Sequence, residues 1–86
     1  MYEVRSAEGA REDFKSLPLR IQGRVQDVFA RLTRWPNVSG AKPLRGSLRG
    51  AYRIRTGDWR VLFVVDAQAG RVTVFPIDNR KDVYED

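Results

Sequence analysis

The alternation of apolar and polar residues is clearest between residues 52 and 66, where it predicts a β-hairpin. Thr, Ile, Val and aromatic residues flank Gly57-Asp58, and glycine accepts the positive φ that a two-residue turn requires. Counting outward from this turn places Arg55 opposite Arg60. One strand face then carries a predicted core set, consisting of Tyr52, Ile54, Thr56, Trp59, Val61 and Phe63. The opposite face carries Arg53, Arg55 and Arg60, with Leu62 and Val64 beyond them.

The predicted Arg55–Arg60 pair is unusual because like charges directly opposite each other destabilise an antiparallel pair, on a scale of roughly 0.2–1 kcal/mol. Two arginines at paired positions are expected where the protein binds an anion, because the anion offsets their repulsion. Arginine also covers an open sheet face with its alkyl chain while its charge stays in water. Both interpretations of the pair remain open from the sequence.

Two helices are predicted ahead of the hairpin. Residues 1–7 alternate as a short first strand, and Ser6 is suited to cap the first helix. One face of that helix is formed by Ala7, Ala10, Phe14 and Leu17. Pro18 ends the first helix and suits the first turn of the second. The second helix is predicted to run to about Arg34 on an apolar stripe of Ile21, Val25, Val28, Phe29 and Leu32.

The remaining segments complete an α+β domain. Residues 37–43 are predicted as a loop, residues 44–50 as a basic connector into the hairpin, and residues 72–77 as a further strand. Pro76 indicates that this last strand lies at a sheet edge or contains a bulge. The predicted order is β-α-α-β-β-β in one domain spanning residues 1–86. Its N-terminal helical hairpin packs on one face of a mainly antiparallel twisted sheet, with a basic groove on the other face.

Composition and charge narrow the chemistry. The chain has 86 residues, of which 42% are hydrophobic, so it can bury one modest core. It contains no cysteine and no histidine, which removes thiolate sites and the usual general base and fits a reducing cytoplasm. The net charge is +5, and residues 40–60 alone hold six basic residues against one acidic residue. Nucleic acid is therefore the leading partner, ahead of an anionic membrane or an acidic protein.

Two ordered motifs cover the second half of the chain. They are Leu48-x-Gly50-x-Tyr52-Arg53-x-Arg55-x-Gly57-Asp58-Trp59-Arg60-Val61-Leu62-Phe63 and Val74-x-x-Ile77-x-x-Arg80-Lys81-Asp82-Val83-Tyr84. Together with the preceding helical hairpin, they resemble the RelE/ParE toxin superfamily of bacterial type II toxin–antitoxin systems. RelE-like members cleave mRNA on the ribosome, whereas ParE-like members poison DNA gyrase. The C-terminal motif resembles the RelE-like mRNA interferase branch.

The resemblance implies a ribosome-dependent mRNA endonuclease that inhibits translation without a metal or cofactor. A ribose 2′-OH would attack the adjacent phosphate, leaving a 2′,3′-cyclic phosphate and a 5′-OH. The implied catalytic residues are Arg60, Arg80, Tyr84 and Arg55. The candidate RNA- and phosphate-binding residues are Arg53, Arg45, Arg49, Lys42 and Lys81. For Arg45 and Arg49, general RNA contacts and solvated surface charges both remain open. Arg53 and Arg55 fall where RelE has a lysine pair, and unlike lysine they cannot lose a proton to act as a base.

The resemblance also implies partners. These are a cognate antitoxin in a toxin–antitoxin hetero-oligomer, mRNA in the ribosomal A site, and rRNA, all in the cytoplasm and without a membrane. The alternatives are a ParE-like inhibitor of DNA gyrase and a non-catalytic RNA-binding module. The absence of histidine favours these alternatives, whereas Arg80 and Tyr84 favour the endonuclease.

Overall fold

The computed structural model describes residues 1–57 and 59–75, and within them two helices pack with a sheet. The helices are α1 (Ala10–Lys15) and α2 (Leu19–Leu32). The strands are β1 (Glu3–Ser6), β2 (Lys42–Pro43), β3 (Ala51–Thr56), β4 (Trp59–Asp66) and β5 (Arg71–Val74). A single 3-10 turn, Gly46–Leu48, lies between β2 and β3.

The strands of this part of the chain form one five-stranded sheet in the order β1-β5-β4-β3-β2. The pair β1–β5 is parallel, and the other neighbouring pairs are antiparallel. The predicted α+β class with a mainly antiparallel sheet is therefore confirmed. Strand β2 was not predicted, because its two residues lie in a segment whose glycine, serine and proline content indicates a loop. Strand β5 is paired on both sides, so the edge position, one of the two alternatives predicted from Pro76, is wrong. The other alternative, a bulge at Pro76, lies outside the described residues.

The β3–β4 hairpin has the predicted register. Thr56 pairs with Trp59 and Arg55 pairs with Arg60, which leaves a loop of two residues. Gly57 begins this loop with a φ of 63°, a left-handed conformation that glycine adopts without a steric penalty. The predicted two-residue turn is thus confirmed at Gly57, and Asp58 lies outside the described residues.

The main core lies between the helices and one face of the sheet. Four of the five residues of the predicted α2 stripe are buried, with Val25 and Leu32 fully inaccessible to solvent, and Phe29 is partly buried. It packs against the apolar face of the hairpin and of β5, where the buried residues are Ile54, Val61, Phe63, Val72 and Val74. Trp35, which follows α2, packs edge-on against Tyr52 and Phe63, with ring centroids 4.8 and 5.5 Å away. The core therefore joins α2 to the central strands.

The first helix begins later than predicted. Ser6 pairs with Val74 in the parallel β1–β5 ladder, and the amide of Ala7 donates a 2.7 Å hydrogen bond to the carbonyl of Val74. These contacts keep the backbone extended, so Ser6 does not cap a helix. Gly9 occupies the N-cap position instead, with a φ of 87° and no side-chain capping bond.

A second, smaller apolar cluster lies apart from the main core. Its buried members are Leu44, Ala51 and Leu62, and Leu48, Val64 and Phe75 pack against them. The amide of Leu44 donates a 2.9 Å hydrogen bond to the carbonyl of Ala51, which folds the connector back beside β3. The connector therefore contributes apolar side chains as well as charge.

Among the described residues, neither helix has the length and apolar character needed to cross a membrane.

Candidate nucleic-acid interface

Four basic residues occupy two neighbouring rows across strands β2, β3 and β4. Lys42 pairs with Arg53 in one row, and Arg55 pairs with Arg60 in the next. Directly paired residues point to the same face, and so do residues two apart along a strand. Lys42, Arg53, Arg55 and Arg60 therefore share the sheet face opposite Ile54 and Val61.

Strand geometry gives the spacing of these charges. Arg53 and Arg55 are two residues apart on β3, which corresponds to about 6.8 Å. The Cβ atoms of the directly paired Arg55 and Arg60 are about 4.5–5.5 Å apart. Side chains as long as arginine converge easily over such distances, so one phosphate group can contact several guanidinium groups of this set. We call Lys42, Arg53, Arg55 and Arg60 the sheet cluster.

Members of the sheet cluster differ in burial. Arg53 and Arg60 are each only 6% exposed, whereas Arg55 and Lys42 are exposed. Guanidinium groups remain charged inside proteins, so both buried residues bring a fixed positive charge into a site of lowered dielectric. Such charges interact with an anion more strongly than they would in bulk water. The exposed Arg55 and Lys42 are the members accessible to a large ligand.

The two predicted arginines of the connector are exposed and flank the 3-10 turn. Arg45 precedes Gly46–Leu48 and Arg49 follows it. Their backbone is fixed by the packing of Leu44 and Leu48 in the second apolar cluster. Arg45 and Arg49 are therefore available to a ligand, but the strand register does not bring them into the sheet cluster.

The predicted C-terminal site residues are Arg80, Lys81 and Tyr84. All three lie outside the residues that the structure describes.

A basic cleft that the sequence analysis missed lies between α2 and the end of β3. Its volume is about 570 Å³, and its charged lining consists of Arg24, Asp27, Arg31, Arg34 and Arg55. Val28, Ala30 and Thr56 complete the lining. The three additional arginines were identifiable in the sequence. Arg24 and Arg31 lie seven residues apart, which places them on one side of the helix beside the apolar stripe, and Arg34 follows soon after the helix ends.

The ion pairs formed between described residues lie at β1, away from the cleft. Glu3 Oε1 is 3.1 Å from Arg71 Nε and 3.0 Å from Arg5 Nε. The hydrogen bond donated by Arg71 lowers the pKa of the Glu3 carboxyl most, and the hydrogen bond donated by Arg5 lowers it further. This group therefore favours its ionised form and ties β1 to β5 on the surface.

Metal ligation has little support in the part of the chain spanning residues 1–57 and 59–75. The sequence has no histidine or cysteine, and no three carboxylates of this part are grouped so that they could hold a metal ion. The sheet cluster and the cleft instead present guanidinium groups, which suit phosphate or carboxylate ligands.

Comparisons with known proteins agree on one family. The chain is 38% identical to Toxin RelG of Mycobacterium tuberculosis over 84 residues, covering 96% of this chain and 95% of that protein. It is 36% identical to Toxin RelE of the same organism over 84 residues, covering 96% of this chain and 86% of that protein. No family model matches the chain.

A solved structure shares the fold. The match is to the RelBE2 toxin–antitoxin complex of Mycobacterium tuberculosis, with a TM-score of 0.79 and 36% sequence identity. The alignment covers 94% of this chain and 93% of the matched chain. The sequence and structure comparisons therefore relate nearly the whole length of this chain to the same group of toxins.

Proposed function

The chain belongs to the RelE-like toxin superfamily, and we propose that it is the toxin of a type II toxin–antitoxin system that cuts mRNA on the ribosome. The observation that supports cleavage is the sheet cluster, in which Arg55 lies directly opposite Arg60 and next to the Lys42–Arg53 row. Like charges at directly paired positions cost an antiparallel strand pair stability. That cost is understandable if a phosphate enters between them.

The proposed reaction is a transesterification within the RNA. The ribose 2′ oxygen forms a bond to phosphorus, and the bond from phosphorus to the 5′ oxygen breaks. The products are a 2′,3′-cyclic phosphate and a 5′-OH, with one proton leaving the 2′-OH and one reaching the 5′ oxygen. Negative charge increases on the phosphate oxygens in the transition state, where positioned cations stabilise it most.

The described residues take binding and charge-stabilising roles in this proposal. Arg60 and Arg53, both nearly buried, hold the scissile phosphate in a site where charge interactions are strengthened. Arg55 contacts the same phosphate from the exposed side. None of these three residues can accept the proton from the 2′-OH, because guanidinium groups do not release their own. Arg80, Lys81 and Tyr84 are proposed to complete the site, with Tyr84 orienting the base or taking part in proton transfer.

The proposed partners follow from the family. A cognate antitoxin is proposed because the matched RelBE2 structure is a toxin–antitoxin complex. The substrate is mRNA in the ribosomal A site, rRNA is the second contact, and the reaction takes place in the cytoplasm. Arg45 and Arg49, which are exposed on the connector, are proposed to contact RNA outside the scissile phosphate.

Induced expression without antitoxin tests this function. Pulse labelling would follow protein and DNA synthesis, and primer extension would locate cuts in an abundant transcript. We expect protein synthesis to stop and new cuts to appear within translated codons. The exposed Arg55→Gln variant should lose most of this effect, whereas Arg11→Gln, at an exposed position on α1, should retain it.

Other outcomes would contradict the endonuclease. Stalled DNA synthesis with intact transcripts would instead establish a gyrase inhibitor of the ParE type. Normal growth, with the protein shown to be soluble and folded, would leave a non-catalytic RNA-binding module.

A further inference from the structure

The cleft between α2 and β3 has the properties of a second RNA-binding site. We propose that Arg24, Arg31, Arg34 and Arg55 bind the phosphate backbone of folded RNA there, without reading its sequence. The inference rests on the proposed RNA-directed function and adds Arg24, Arg31 and Arg34, which the reaction itself does not use. Its role is to orient the protein on structured RNA while the sheet cluster engages the strand to be cut.

Charge is the first support for this proposal. Among the residues that the structure describes, four arginines and one acidic residue, Asp27, line the cleft. The ion pairs between residues of the described ranges involve Glu3, Arg5 and Arg71, so none of them neutralises the cleft arginines. The side chains of Arg24, Arg31, Arg34 and Arg55 are all exposed. Such a cleft concentrates positive potential where a polyanion can reach it.

The spacing of the arginines is the second support. Arg24 and Arg31 are seven residues apart in α2, which corresponds to about 10.5 Å along the helix axis. Arg34 follows in the turn after α2 and also lines the cleft. A row of cations spread over this length suits several phosphates of one backbone better than it suits a single small anion. The guanidinium fork also matches phosphate geometry.

Arg55 connects the cleft, on the α2 side of the sheet, with the sheet cluster on the opposite face. Arg55 lines the cleft and also pairs with Arg60 in the hairpin. Arg24 reaches from α2 toward the hairpin turn, since its Nη1 atom lies 3.4 Å from the position that a Cβ on Gly57 would occupy. An RNA held in the cleft would therefore lie beside the proposed cleavage site.

The cleft lining favours RNA over an acidic protein segment. Protein partners gain most of their affinity by burying aromatic and large aliphatic side chains in pockets. This cleft offers Val28, which is only 2% exposed, and the small side chain of Ala30. Phosphate backbones need no apolar anchor, because their binding is driven by charge neutralisation and counterion release.

A pair of matched variants tests the proposal. Arg24→Gln/Arg31→Gln removes two exposed charges from the cleft. Arg11→Gln/Lys15→Gln removes two exposed charges from α1, outside the cleft. Both variants lower the net charge of +5 by the same amount, so a difference between them reports location. The probe is a short RNA hairpin of arbitrary sequence, and its affinity is measured across a range of salt concentrations.

The expected result is a smaller salt dependence for the cleft variant only. Each lost phosphate contact lowers the slope of log affinity against log salt by about 0.7–0.9, so two contacts lower it by about 1.4–1.8. When salt is raised from about 50 to 200 mM, the cleft variant should therefore lose affinity by a factor about seven- to twelvefold smaller than the factor that the wild type loses. The α1 variant should keep a slope close to that of the wild type.

Two results would overturn the proposal. Equal slopes for the cleft and α1 variants would show that only net charge matters. A cleft variant that binds the RNA hairpin like the α1 variant, but no longer binds a polyglutamate peptide, would assign the cleft to an acidic protein. This measurement is independent of cleavage. A protein that leaves mRNA intact but shows the expected slopes would retain the cleft site and lose the endonuclease proposal.

Discussion

The pairing of Arg55 with Arg60 leads to a prediction in which stability and activity change in opposite directions. Replacing Arg55 by glutamine removes one of two like charges from directly paired strand positions. Because Arg55 is exposed, the substitution removes little packing. We expect Arg55→Gln to stabilise the folded protein by about 0.2–1 kcal/mol. The same variant should lose most of its RNA cleavage.

The expected size follows from the geometry. Two unit charges about 6 Å apart repel by about 0.7 kcal/mol in water and about 2.8 kcal/mol at an effective dielectric constant of 20. Arg60 is buried but Arg55 is exposed, so solvent screening keeps the repulsion near the lower value. With a urea dependence of about 1 kcal/mol per M, the midpoint of unfolding should rise by about 0.2–1 M. Added salt should reduce this difference.

The assay is urea denaturation of the wild type and of two variants at low and high salt. Arg71→Gln is the matched control, because Arg71 also lies in a cross-strand pair but is attracted to its partner Glu3. That control should not gain stability. Arg55→Gln with unchanged or lowered stability would refute repulsion across the hairpin. Arg55→Gln with raised stability and full cleavage would refute the link between the paired charges and phosphate binding.

Further predictions concern the backbone, the core and the surface. Gly23→Ala should stabilise the protein by about 0.5–1 kcal/mol, because alanine favours the helix and an added Cβ at Gly23 would have nothing within 4 Å. Gly57→Ala should destabilise it by about 1–2 kcal/mol, because the φ of 63° is left-handed. If urea denaturation showed that Gly23→Ala and Gly57→Ala change the free energy of unfolding in the same direction, this pair of predictions would be contradicted. Phe63→Ala should cost about 3–5 kcal/mol in a thermal unfolding experiment, since the ring is fully buried, and a loss below about 1 kcal/mol would place it outside the core. NMR titration of Glu3 should give a pKa below its ordinary value of 4.5, mainly because of the hydrogen bond from Arg71. The carboxylate's contribution to stability is then present at neutral pH and is lost as pH falls through the lowered pKa. If the titration midpoint of Glu3 were the same in Arg71→Gln as in the wild type, the hydrogen bond from Arg71 would not be the cause.

The elements that the sequence predicted best are those with strong periodicity. The hairpin register followed from alternation and one glycine, because the side-chain period of two leaves no freedom once the turn is placed. The α2 stripe was equally clear, since its residues recur at helical spacing over several turns. The same logic predicts that Arg53, Arg55 and Arg60 share one face, and the strand register confirms it.

Other features depend on contacts between distant segments. Ser6 has the chemistry of a helix cap, but pairing with Val74 holds it in a strand, and a residue so far along the chain leaves no local signal. Strand β2 is only Lys42–Pro43, too short to produce a pattern of its own. The burial of Leu44 against Leu62 likewise comes from the folded connector.

The candidate site was predictable only in part. The arginines of the hairpin were found because strand pairing brings them together. The sequence does not single out Arg24, Arg31 and Arg34, because charged residues on a helix usually face solvent. Their significance comes from the cleft that they line together with Arg55. The signal was present in their spacing, but its significance depends on how α2 packs beside the end of β3.

The most direct test of the central claim is cleavage of mRNA by the purified protein on programmed ribosomes. We predict a cut within the A-site codon that leaves a 2′,3′-cyclic phosphate and a 5′-OH. Arg60→Gln, checked for folding by circular dichroism, should lower the cleavage rate by about 10²–10³-fold, as expected for the loss of one charge-stabilising group. Intact mRNA with the wild-type protein, or undiminished cleavage by folded Arg60→Gln, would contradict the proposed role of the sheet cluster.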